Sequence, residues 1–73
     1  MGFIDRALHK TALVEELRKK GFTLKKNGGL TTAVKAHEQY FLGAIGNKVI
    51  YLSGGEIVEI TSYKNTIEKL SNY

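Results

Sequence analysis

"EQYFLGAIGNKVIYLSGGEIVEIT", Glu38 to Thr61, is the stretch on which the fold turns. Three short runs rich in β-branched and aromatic residues, EQYFLGAI, KVIYLS and EIVEIT, are separated only by Gly-Asn and Gly-Gly. Such dipeptides tolerate the positive φ angles of two-residue hairpins, so the stretch predicts an antiparallel meander. Side chains alternate across a strand, which sets Tyr40 and Leu42 on one face against Phe41 and Ile45 on the other. In the next run Val49 and Tyr51 oppose Ile50 and Leu52. Both faces are thus apolar. A helix can cover one, and the other needs the tail of the chain or a partner.

Beyond the meander, TSYKNTIEKLSNY (61–73) places Tyr63, Ile67 and Leu70 at helical spacing, with Thr61 or Asn65 as cap. Before it, LTTAVKA (30–36) is ambiguous. Thr32 can cap a helix running through AVKAHEQYFL to Gly43, but the aromatic content of the following run favours a loop or irregular piece to residue 37 and then a strand. FTLKK (22–26) alternates like a half-buried strand and ends in the turn signal Asn27-Gly28-Gly29.

Residues 3–20 predict a helix, with Ile4 and Leu8, and Leu13, Val14 and Leu17, at helical spacings. Glu15 and Glu16 each precede a lysine, Lys19 and Lys20, by four. Gly21 stands where a C′ glycine ends a helix, with Arg18, Lys19 and Lys20 at the negative end of its dipole. The expected fold class is therefore α+β: one domain over 1–73, an N-terminal helix packed on a small antiparallel meander of three to four strands, with room for a short C-terminal helix.

Seventy-three residues without cysteine make a thin core that no disulfide or thiolate zinc site can reinforce. His9 and His37 lack a helical i, i+4 relation, so no metal or other cofactor is expected. Oligomerisation is the compensation left, and the chain itself is the first expected partner. The longest uncharged run, QYFLGAIGN, is too short to cross a bilayer, and charges at Asp5, Arg6 and Lys10 interrupt the opening segment. The expectation is a cytoplasmic protein with no membrane partner. The net charge of +4 is uneven: residues 1–37 hold eight of the eleven Lys and Arg and three of the seven acids. That asymmetry permits nucleic acid or another anionic partner.

Arg18, Lys19, Lys20, Lys25 and Lys26 are the candidate nucleic-acid-binding residues, since cations in series neutralise phosphates. The plainer alternative is a solvated helix end followed by an edge strand guarded by lysines. His37 is the one titratable group placed for general acid or base work, with no nucleophile beside it in sequence, so no catalytic residue is assigned. The seven carboxylates are scattered, and Glu59, between Ile57 and Ile60, is expected to face solvent. Tyr40, Tyr51, Tyr63 and Tyr73 are expected to be exposed and to mark surface contact.

Taken together, ELRKKGFTLKKNGG and YFLGAIGNKVIYLSGGEIVEITSYKNTIEKL resemble the small prophage-encoded Yopt family of bacilli. That resemblance implies a homodimer of unknown function with one helix and three strands per chain; with the thin core, the expectation is a non-enzymatic binding or accessory protein. LRKKGF and HEQYF also resemble the HicA-type toxins, RNA-cleaving proteins with an α-β-β-β-α fold. That second resemblance implies His37 as catalytic residue and the lysines as phosphate contacts. The chain departs from it in placing Lys35 and Ala36, not Gly-Ser, before the histidine.

Overall fold

The computed structural model describes residues 3–72, with side chains from His9 onward. The chain runs α1 (Phe3–Lys19), β1 (Thr23–Asn27), β2 (Leu30–Lys35), β3 (Glu38–Ile45), β4 (Lys48–Ser53), β5 (Glu56–Ser62) and α2 (Tyr63–Ser71). The five strands form one antiparallel sheet in the order of the sequence. The fold is α+β as expected, but with five strands rather than three to four.

The additional strand is β2, where a loop or irregular piece to residue 37 was expected. Its alternation is regular: Thr31 and Ala33 are buried, while Thr32 is half-buried and Val34 exposed. What conceals it in sequence is the connection to β3. Lys35 pairs with Glu38, so Ala36-His37 is a two-residue hairpin loop containing neither Gly nor Asn. Ala36 takes φ +54, a left-handed conformation that costs an L-residue with a Cβ roughly 1–2 kcal/mol. The Gly54 amide donates to the His37 carbonyl at 3.0 Å, tying this loop to the β4–β5 hairpin. The other three hairpin loops, 28–29, 46–47 and 54–55, fall on the Gly and Asn pairs read as turns.

The α1–β1 junction follows the sequence closely. Gly21 adopts φ +92, its amide donates to the Arg18 carbonyl and the Phe22 amide to the Leu17 carbonyl, both at 3.0 Å. This is a Schellman closure, and it delivers Phe22 into the core. There Phe22 meets Tyr40 edge-on at 5.3 Å, and Tyr40 in turn lies 4.7 Å from Tyr51. Tyr40 and Tyr63 are therefore buried and Tyr51 half-buried, contrary to the exposed surface expected of them; Tyr73 lies outside the described residues. Burying large rings on one side is what lets so small a domain close a core.

Both helices cover the same face. Leu13 and Leu17 of α1, Tyr63 and Leu70 of α2, and Ala33, Tyr40, Leu42 and Val49 of the sheet form one cluster with Phe22. Fully burying each leucine is worth roughly 1.5–3 kcal/mol. Helix α2 is capped by Ser62, not Thr61 or Asn65: its hydroxyl accepts from the Asn65 amide at 3.1 Å. Glu59, expected to face solvent, is half-buried and pairs with Lys69 of α2.

In β3, Gly43 (φ +90) opens a bulge between Leu42 and Ile45. A Cβ there would sit 2.5 Å from the Gly29 carbonyl oxygen, a backbone atom that cannot swing away. Gly43→Ala is expected to destabilise the domain by about 2–3 kcal/mol through contact and strained φ, read as a lower urea midpoint. Ala36→Gly is expected to act in the opposite direction, raising stability by about 0.5–1 kcal/mol in the same measurement. An unchanged midpoint for Ala36→Gly would mean that the loop is unstrained.

Candidate functional site

Cross-strand register fixes which side chains share the uncovered face. One row runs Lys25, Thr32, Phe41, Ile50, Ile60 and the next Thr23, Val34, Gln39, Leu52, Ile57. Ile57 and Ile60 of β5 are 62% and 49% exposed, and Val34 of β2 is exposed on the same face. Phe41, Ile50 and Leu52 are half-buried only by their neighbours in the sheet. The tail helix does not cover this face, because it packs beside α1 on the other. The rows named contain no carboxylate, and Lys25 stands at the β1 margin.

The edges of the same sheet are poor templates for another strand. Edge strand β1 carries Lys25 and Lys26, and β5 shifts register between its partners Tyr51 and Leu52, leaving Val58 unpaired. Lysines and bulges on edge strands both oppose edge-to-edge addition. An open depression of about 570 Å³ lies at the β1–β2 corner, lined in part by Thr23, Lys25, Thr32 and Val34.

The five cations read as one cluster do not remain together. Lys25 and Lys26 project to opposite faces of β1 because adjacent strand residues alternate. Lys19 pairs with Glu16 at 3.8 Å. The backbone carbonyl of Lys20 accepts from Lys35 Nζ at 2.6 Å, and that ammonium lies 5.8 Å from the Phe22 ring centroid. Lys35 thus serves the α1 terminus, where a cation complements the dipole. Arg18 and Lys26 do border a common space. With Lys10, Thr11 and Val14 they line an open depression of about 320 Å³ between α1 and β1. Lys10 was not among the candidates, yet its signal was present: Lys10, Val14 and Arg18 are spaced i, i+4, i+8, one face of a helix.

His37 is exposed at the tip of the β2–β3 hairpin. Its strand neighbour Glu38 accepts from the Tyr51 hydroxyl at 2.7 Å, which commits that carboxylate to the sheet. Among the described residues, no three of His, Cys, Asp and Glu gather as a metal site, and no helix is long and apolar enough to cross a membrane.

Compared with protein-family models, curated proteins and solved structures, the chain matches none. Its functional reading therefore rests on geometry.

Thr31 is the buried polar group left over. It is 2% exposed, and its hydroxyl has no hydrogen-bond partner among the described residues. An unsatisfied buried hydroxyl is a net cost, so the isosteric Thr31→Val is expected to raise unfolding stability by about 1 kcal/mol in urea titration. A loss of similar size would instead reveal a bound water or other partner at the oxygen.

Proposed function

We propose that this chain is a homodimeric binding or accessory protein, not an enzyme, and that two copies associate through the uncovered faces of their sheets. The carrying observation is the continuous apolar patch of Val34, Phe41, Ile50, Leu52, Ile57 and Ile60 on a face that neither helix reaches. Area supports a second copy as occupant. Five strands at about 4.8 Å spacing and about 17–20 Å of strand length give roughly 400–500 Å² of flat face per protomer. Two such faces approach about 1,000 Å², the lower limit for a specific interface. A face-to-face pair is isologous and closes on itself, whereas the lysines of β1 and the bulge of β5 disfavour growth through the edges. It also gives a thin one-sided core a second buried layer.

Lys25 near one margin supplies a polar rim without a buried charge pair. The alternative of an RNA-cleaving protein acting through His37 draws less support, since that side chain stands at a hairpin tip with its nearest carboxylate neighbour held by Tyr51.

Light scattering at about 100 μM protein, at low and at high salt, tests the dimer. The expected mass is twice 8.1 kDa and insensitive to salt, because apolar burial is not screened. Ile57→Lys and Ile60→Lys alter exposed positions, so each is expected to leave the circular dichroism spectrum intact and return the mass to 8.1 kDa. A wild-type protein of 8.1 kDa at this concentration would overturn the proposal.

A further inference from the structure

We infer that the depression between α1 and β1 is a binding site for the phosphate group of a small phosphorylated ligand, held by Lys10, Arg18 and Lys26. Lys10 and Arg18 stand two turns apart on one face of α1, about 12 Å along its axis, with Val14 between them. Both side chains are long enough to converge above Val14. Lys26 approaches the same space from β1, so three cations from two elements surround one depression. No carboxylate lines it, and among the described residues none of the three cations is in an ion pair. A planar guanidinium with two ammonium groups is a donor set suited to a phosphate, the guanidinium taking two oxygens at once.

The placement of Lys10 is set by the fold. Its Nζ would come within 3.9 Å of a Cβ at Gly43, so the ammonium reaches over the β3 bulge that brings Gly43 against the Gly29 carbonyl. Size and pattern favour a small ligand over a nucleic-acid backbone. A volume of about 320 Å³ accommodates a phosphate and a sugar-sized group. Two of the remaining candidate cations do not extend the site into a track: Lys19 is paired with Glu16, and Lys25 lies on the opposite side of the sheet. Because the site and the apolar face are on opposite sides of the sheet, dimerisation through the latter leaves the former open.

The test is NMR titration of the full chain with pyrophosphate and with ribose 5-phosphate, with chloride matched for ionic strength, and separately with a short single-stranded RNA. Both phosphate probes are expected to shift the amides of Thr11, Val14 and Lys26 saturably. K10Q, R18Q and K26Q are each expected to weaken binding at least five-fold, whereas K25Q changes it less than two-fold. These side chains are not in the apolar cluster, and an unchanged amide spectrum elsewhere in each variant confirms folding. No saturable shift at tens of millimolar probe would overturn the inference. So would an equal loss from K25Q and R18Q, which indicates a diffuse basic surface, or RNA binding that depends on Lys19 and Lys25 as much as on Lys10.

Discussion

Four consecutive two-residue hairpins constrain everything else in this domain. With no slack in any connection, the register of each strand is locked to that of its neighbour, and apart from the bulges in β3 and β5 alternate residues are sorted onto two faces. One face receives Ala33, Tyr40, Leu42 and Val49, and the Schellman closure after α1 adds Phe22 to it. Both helices pack on that face, where Leu13 and Leu17 of α1 and Tyr63 and Leu70 of α2 join its rings in one cluster. The other face inherits Phe41, Ile50, Leu52 and Ile60 by the same alternation, and the bulge at Val58 brings Ile57 onto it as well. An uncovered apolar sheet is thus a consequence of register together with the packing of both described helices on the opposite face.

Strain is concentrated where this scheme is tightest. Ala36 holds a left-handed turn that glycine would hold more cheaply, and Gly43 is pressed against the backbone of the β1–β2 turn. Next to the first, Lys35 reaches back to the Lys20 carbonyl, coupling the β2–β3 hairpin to the end of α1. The second kinks β3 beneath the ammonium of Lys10.

Legibility in the sequence followed the quality of local signals. Helix α1, its Gly21 terminus, strands β1 and β3 to β5 and helix α2 all carry strong periodicity or turn chemistry, and all are present. Strand β2 was obscured because Ala36-His37 is not a recognisable turn pair, although Thr31 to Val34 alternate as a strand should. The tyrosines misled for a different reason. Tyr40 and Tyr63 have polar tips, but their rings are the largest apolar surfaces available to a small core.

The sequence by itself determined the element order of the meander, the faces of its first two strands and the end of the first helix, because these depend on residues within one strand, one turn or one helical period. Tertiary structure alone decided that α2 joins α1 on one face, that Glu59 meets Lys69, and that Arg18 and Lys26 part from Lys19 and Lys25 to join Lys10. Five cations close in sequence looked like one patch. Strand alternation and helix rotation send neighbours in opposite directions, so proximity along the chain is a poor guide to charge in space.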